Sequence, residues 1–456
     1  MAGIAKPTSA SLKRAVLAVG LGALISIGAP SPVLAQTLGA QPPADLREQL
    51  AGRADELRTF YAARGHRPMW LTPDGRAGPA VNRLLDRLET AQFDALDPKT
   101  LKRLSTRDAR RALDRARSGK AKDVARAEIE LSTLFADYVR ATRAGHRAPM
   151  LYESAALAPV IPSVTAAVSA AAKAPSLDDY VRQMGWMHPF YAPLRDAMDT
   201  RAFDPVQRRT IWENIERVRA LPATPADRYV LVDAASARLW MYENGKVVDS
   251  MRVVVGKPES ATPTMAGFIR YAIVNPYWNV PPDLVQHTIA NNVLDRGLRY
   301  LKQNTYEVLS DFTDNPAALD PAKVNWRAVA QGAIAPPRVR QKPGGPNFMG
   351  KVKFEFPNAQ GIYLHDTPER ALLKLDDRQL SNGCVRLEDV DRFGKWLLGK
   401  SLPKAAKTKP EQRIDLPTLV PVYITYLTAM PTERGIAFRS DVYGLDSSTP
   451  VEFAGG

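Results

Sequence analysis

Ser381-Asn382-Gly383-Cys384-Val385-Arg386-Leu387 holds the only cysteine of a 456-residue chain, nineteen positions after His365. A single cysteine forms no disulfide within the chain. It serves either as a small buried hydrophobe or as a reactive thiol. Asn382-Gly383 is strong turn chemistry, which sets the sulfur at a bend rather than inside a packed run and favours the reactive reading.

The first residues say where such a thiol works. Lys6, Lys13 and Arg14 precede an apolar stretch from Ala15 to about Ala29, interrupted by Gly20, Gly22 and Gly28. Val33-Leu34-Ala35 then supplies small residues for cleavage, so the expectation is a signal peptide over 1–35. No cysteine stands near that point, which excludes lipoprotein maturation. No later run reaches about eighteen uninterrupted apolar residues, so the processed chain is expected to be soluble and peripheral to a membrane at most. An unpaired thiol carried into an oxidising compartment points to reactivity.

About 420 processed residues exceed the usual single domain. The chain carries +14 formally, and removing the three leader cations leaves 14 − 3 = +11. Lys and Arg are dispersed, with no compact basic block and no RNA-binding aromatic motif, so no nucleic-acid partner is expected. The charge suits either an anionic envelope polymer or an evenly solvated surface. His66, His146, His188, His287 and His365 show no ligand spacing, so neither metal nor cofactor is expected.

Outward from the cysteine the chain divides in two. Up to about Ala220 the pattern is helical. Val124, Ala127, Leu131, Leu134, Phe135 and Tyr138 share one face after a candidate N-cap at Asp123. Asp204-Pro205 opens another helix that turns Ile211, Ile215 and Val218 inward. Residues 153–175, rich in Ala, Pro and Ser, read as a linker or a weakly packed helix. After Leu221-Pro222-Ala223-Thr224-Pro225 the pattern becomes strands: 229–232, 238–242, 251–255, 268–274, 351–356, 362–365 and 420–427, with a helix at 390–398. Asn244-Gly245 predicts a type I′ hairpin. The stretch from Pro282 to Arg340 is too long for a loop and reads as an insertion folded over the β domain.

His365 ends a strand and Cys384 follows a turn, two points that antiparallel pairing can bring together. The imidazole would take the thiol proton, giving a nucleophile for carbonyl carbon and a thioester product. Turn amides beside the sulfur suit an oxyanion hole, and Gly383 permits close approach. No Asp or Asn is evidently placed to orient His365; a backbone carbonyl can hold its tautomer instead.

At these residues the chain resembles the L,D-transpeptidases of bacterial cell-wall synthesis, with their YkuD-type β domain. Their signature is a His, then Ser/Thr-x-Gly-Cys-hydrophobic-Arg/Asn, here His365-Asp366-Thr367-Pro368 and Ser381-Asn382-Gly383-Cys384-Val385-Arg386. Asn275-Pro276-Tyr277-Trp278-Asn279-Val280-Pro281-Pro282, Pro343-Gly344-Gly345-Pro346-Asn347, Lys353-Phe354-Glu355-Phe356-Pro357-Asn358 and Phe60-Tyr61…Trp70 resemble the large, capped Gram-negative subgroup. The resemblance implies an α+β fold: a mainly antiparallel β-sandwich catalytic domain over 223–430, capped by 283–340, after an all-α scaffold over 36–222 and before a tail from 431 to 456. It makes Cys384 the acylated nucleophile, His365 its base, and the Gly383 and Cys384 amides the oxyanion hole. Tyr363, Trp278, Asn279, Ser381, Asn382 and Arg386 become cleft residues.

The implied activity is a periplasmic transfer between peptidoglycan stem peptides that gives 3–3 crosslinks, sensitive to carbapenems, with cell-wall synthases as candidate partners. A hydrolase on the same fold (an L,D-carboxypeptidase, or an amidase releasing wall-linked protein) and a non-catalytic wall binder are the alternatives. Asn382 departs from the His of many members. Residues 153–175 are too short for the peptidoglycan-binding module of larger relatives.

Overall fold

The computed structural model describes residues 44–51, 55–145, 147–200, 202–313, 315–404 and 409–446. The leader expected over 1–35, His146 and the last ten residues lie outside these.

The N-terminal part is a helical domain of α1 (Ala44–Leu50), α2 (Asp55–Ala63), α3 (Pro79–Glu89), α4 (Pro98–Arg103), α5 (Arg107–Ala116), α6 (Ala121–Arg143), α7 (Val164–Lys173), α8 (Leu177–Arg182), α9 (Tyr191–Met198) and α10 (Pro205–Arg219). α6 is its axis. The stripe of Val124, Ala127, Leu131, Phe135 and Tyr138 is buried as the 3.6 period requires. Asp123 sits in the first turn rather than at the cap, which Lys120 occupies; its carboxylate there complements the helix dipole. At α10 the cap is where the sequence places it. Asp204 accepts from the Gln207 amide at 2.8 Å and Gln207 returns a bond to the Asp204 amide, a reciprocal capping box.

Tyr61 and Trp70 close onto α6. Buried Glu128 accepts from the Tyr61 hydroxyl at 2.7 Å and from the amides of Met69, Trp70 and Leu71, while the Trp70 indole donates to Ser132 at 2.9 Å. A carboxylate can be buried here because donors surround it.

Residues 153–175 differ from the linker reading. β1 (Leu151–Tyr152) pairs in parallel with β5 (Met265–Val274) of the catalytic sheet, and the Glu153 carboxylate accepts from the Phe268 amide. α7 then buries Ala167, Val168 and Ala171, small side chains that let it lie close on its neighbours.

The catalytic domain is a mixed, mainly antiparallel sheet. Its strands are β2 (Arg228–Asp233), β3 (Arg238–Glu243), β4 (Lys246–Gly256), β5, β9 (Val352–Glu355), β10 (Leu364–His365), β11 (Gln379–Ser381), β12 (Val385–Leu387) and β13 (Gln412–Thr425). The pairing closes on itself: β5–β13–β2–β3–β4–β12–β10–β9 and back to β5. Val232, Leu239, Val253, Phe354, Leu364, Val385 and Ile424 fill the interior. Asn244 and Gly245 both have positive φ, as a type I′ turn demands. α15 (Val390–Leu398) covers this core with Phe393 and Leu397.

Between β5 and β9 the chain builds the cap. It has its own three-stranded sheet, β6 (Trp278–Asn279), β8 (Arg338–Gln341) and β7 (Tyr306–Leu309). Its helices are α11 (Pro282–Leu284), α12 (Ala290–Arg296), α13 (Arg299–Gln303) and α14 (Trp326–Ala330). A separate core of Val285, Ile289, Leu301, Val308, Val329 and Val339 holds it together.

The residues read as a tail from 431 are structured as far as they are described. β14 (Ala429–Thr432) and β15 (Gly435–Phe438) form a hairpin whose Phe438 meets Phe203 of the helical domain. Leu427 and Ala429 belong to the helical domain's core, so the two domains share apolar burial at this corner.

Candidate active site

The site is set by register on the outer face of β9, β10 and β12. Strand residues alternate faces, so Leu364 enters the core and His365 points away from it. His365 pairs with Lys353 on one side and with Arg386 on the other. Two residue pairs along, Tyr363 and Cys384 are neighbours: the Val385 amide donates to the Tyr363 carbonyl at 2.9 Å. The imidazole is therefore flanked in sequence register by two cations, and the cysteine lies two residues along on the same face.

β10 and β12 run parallel, against the antiparallel expectation. A parallel pair needs a crossover of a dozen or more residues, and the nineteen-residue separation supplies one. The connection folds as a 3₁₀ turn, Arg370–Lys374, and β11.

The cysteine turn is tightly tied. Ser381 Oγ accepts from the Gly383 amide at 3.1 Å and donates to the Cys384 carbonyl at 2.6 Å. Thr262 Oγ1 donates to the Gly383 carbonyl at 2.7 Å and accepts from the Gly256 amide, whose own carbonyl accepts from the Tyr443 hydroxyl. Tyr443 stacks on Tyr426 at 4.8 Å, and the Tyr426 hydroxyl donates to Asp441. Gly383 has φ +111°, a conformation that L side chains rarely adopt, so glycine is required there.

Two acid–base states follow. Burial pushes the His365 pKa down to about 3; Arg386 and Lys353 push the same way, against the stabilising carbonyl of Asp366. Nδ1 lies 2.5 Å from that carbonyl, which fixes the tautomer with Nδ1–H donating and Nε2 free to accept. Burial raises the Cys384 pKa, opposed by the Tyr363 amide and Arg386. The thiol donates to the Gly361 carbonyl at 3.7 Å. At neutral pH the resting pair is a thiol and a neutral imidazole.

The cap encloses a cavity of about 180 Å³ over this face. His365, Ser381, Asn382, Cys384 and Arg386 form its floor; Trp278, Leu284, Ile289, Tyr300, Tyr306 and Phe348 form its walls. A thiol and a neutral imidazole between apolar walls are groups that acyl transfer through a thioester can use.

A family model for the L,D-transpeptidase catalytic domain (YkuD) matches residues 227–424, and one for a scaffold domain matches 55–198. Residues 227–424 form an L,D-transpeptidase catalytic domain of the YkuD family. It is 31% identical over 244 residues to a curated Haemophilus influenzae protein named for L,D-transpeptidase activity; the match covers 51% of this chain and 47% of that protein. The chain thus spans about half the length of that relative. Solved structures of L,D-transpeptidases from Mycobacterium smegmatis (11% identity, TM-score 0.22, 43% of this chain and 58% of that one) and Mycobacterium tuberculosis (12%, 0.22, 43% and 60%) are distant likenesses.

Not every residue expected in the cleft reaches the cavity. The Gly383 amide, expected in the oxyanion hole, donates to Ser381 Oγ instead. Ser381 itself is engaged in holding the turn. Asn279 is exposed and accepts from Arg338. Tyr363 stands outside the cavity lining, its ring under the Lys353 ammonium at 5.1 Å. Trp278, Ser381, Asn382 and Arg386 do line it, and Arg386 is held by Glu369. Sequence reasoning missed the Thr262–Tyr443 tie and Lys353. The only local signal for Lys353 was its place in the Lys353-Phe354-Glu355-Phe356 alternation.

Proposed function

We propose that this chain is an exported, periplasmic L,D-transpeptidase that joins peptidoglycan stem peptides by 3–3 crosslinks through a Cys384 thioester. The observation that carries the reading is the shared cavity: Cys384 and a His365 kept neutral lie together on its floor, on one face of the sheet. The donor is a tetrapeptide stem. His365 Nε2 takes the thiol proton as sulfur attacks the carbonyl of the third residue, and the Cys384 amide supports the oxyanion. The imidazolium so formed faces Arg386 and Lys353, so it returns its proton readily to the departing terminal D-alanine. The thioester carbonyl is then attacked by the side-chain amine of a second stem.

The deciding experiment is mass spectrometry of muropeptides after incubating the purified protein with tetrapeptide-rich sacculi. Crosslinked dimers are the expected result. Trimmed monomers alone indicate a hydrolase, and unchanged muropeptides overturn the enzymatic reading.

A further inference from the structure

One buried ion pair stands beside the nucleophile. Lys353 and Glu355 sit on the outer face of β9, their side chains 13% and 10% exposed, with Nζ 2.8 Å from Oε1. Lys353 lies in register with His365, and its ammonium stands over the ring of Tyr363, the residue next to Cys384 across β10 and β12. None of Lys353, Glu355 and Tyr363 lines the cap cavity. The sulfur is thus bordered by the cavity on one flank and by this charged, aromatic strip on the other. Glu355 engages one of the three ammonium donors, while the Tyr363 ring and the Glu411 charge act on the ammonium without taking a hydrogen bond from it.

We propose that Lys353, held in place by Glu355, binds the carboxylate of the acceptor, so that the preferred acceptors are amines whose amine-bearing carbon also carries a carboxylate. This rests on the transpeptidase reading. The amine nitrogen forms a C–N bond with the thioester carbonyl while the C–S bond breaks. The proton lost from nitrogen passes through His365 to the departing sulfur. Lys353 is two strands from Cys384, roughly 10 Å at about 4.8 Å per strand. Its side chain reaches back over Tyr363, opposite the cysteine, with Nζ 5.1 Å from the ring centre. A carboxylate on the same carbon as the attacking nitrogen trails by two bonds toward the ammonium. The same arrangement occurs at the end of a diamino acid side chain and in a free D-amino acid. A plain lysine side chain lacks it.

The test uses the full chain and a tetrapeptide donor, with D-methionine or D-methioninamide as acceptor. The readout is the ratio of exchanged to hydrolysed product. Both products leave one acyl-enzyme, so the ratio cancels any effect of a substitution on acylation. Wild type should give a ratio about tenfold or more higher with D-methionine, as expected for a charge-assisted bond. The amide has the less basic amine, which works against this outcome. Lys353→Met should bring D-methionine down to the amide's level, and Lys353→Arg should restore most of the preference. Lys353→Met with Glu355→Gln, which leaves no unpaired buried charge, should match Lys353→Met alone. Equal ratios for the two acceptors in wild type, or equal losses for both in Lys353→Met, overturn the assignment. Acyl-enzyme mass, followed in the same runs, separates the two readings. If the acyl-enzyme forms and the ratio does not move, the Lys353 assignment alone falls; if wild type forms none, the transpeptidase reading falls with it.

Discussion

His365 donates its Nδ1 proton to the Asp366 carbonyl at 2.5 Å, so a backbone oxygen, rather than a third side chain, orients the base. With its pKa pushed down to about 3, the imidazole is already neutral at pH 5, and raising the pH through 6.5 changes nothing in it. The thiol, pushed up by burial, remains protonated over the same range. Carbapenem acylation should therefore be flat between pH 5 and 8, with no inflection near the ordinary histidine value of about 6.5. Stopped-flow acylation rates across that range check it; a tenfold drop centred near 6.5 would show a normally titrating histidine. His365→Ala should lower the rate by about 10²–10⁴ and make it track thiolate alone, rising tenfold per pH unit.

Cys384→Ser should form no carbapenem mass adduct and leave unfolding by urea within about 0.5 kcal/mol of wild type, because the half-buried thiol contributes little packing. An adduct of full stoichiometry on that variant would move the nucleophile elsewhere.

Thr262 joins two otherwise orphaned backbone groups, the Gly256 amide and the Gly383 carbonyl, next to the cysteine. Thr262→Val removes both bonds inside a buried site, which should cost about 2–4 kcal/mol by urea unfolding. It should also slow acylation at least tenfold, since the turn that aims the sulfur loses its anchor. Tyr443→Phe removes the outer links, to the Gly256 carbonyl and from the Thr262 amide, and should show the same two effects at smaller size. A stable Thr262→Val variant with full acylation would mean that Ser381 alone holds the turn.

His188, in the helical domain, is a second buried neutral histidine, with its pKa pushed down to about 3 by burial and by Arg143. The unfolded chain binds a proton near pH 6.5 that the folded chain refuses. This linkage is silent at pH 7 and destabilises the fold as pH falls below 6.5, by roughly 2 kcal/mol at pH 5. Other buried groups titrate as well, Glu128 and Asp233 among them, so the comparison is made against His188→Gln, which keeps an acceptor for the Phe190 amide. The variant's stability relative to wild type should improve by about that amount between pH 7 and pH 5. An unchanged difference would place a proton on His188 in the folded state.

What the sequence shows directly is what short-range chemistry determines. Asn244-Gly245 must be a hairpin and Asp204-Pro205 a helix start, because the turn and the cap are made within four residues. Cys384 and His365 were legible through their residue types and spacing. Lys353 was not: an outward lysine on an alternating strand reads as a solvated face until register sets it beside His365. Nor was the parallel pairing of β10 with β12, since local alternation is the same in either direction. The Tyr443 tie joins residues 187 positions apart, and a sequence pattern carries no trace of such a contact.

The cap can be tested as a separable part because of how its strands meet. β6 and β8 are antiparallel neighbours, with Trp278 opposite Gln341 and Asn279 opposite Arg340. Residues 283–335 can therefore be replaced by a short Gly/Ser turn without stretching the chain. The catalytic sheet contains none of the deleted residues, so its circular dichroism and carbapenem adduct should persist, with acylation within about tenfold of wild type. The variant keeps Trp278 and Phe348 but loses Leu284, Ile289, Tyr300 and Tyr306 from the cavity walls. Those walls orient a bulky stem and keep water from the thioester. Crosslinked muropeptides should accordingly fall by about a hundredfold, while the share of hydrolysed product rises. If acylation and crosslinking disappear together in a folded variant, the deleted segment acts on the nucleophile itself, and the division between a catalytic sheet and a covering cap is wrong.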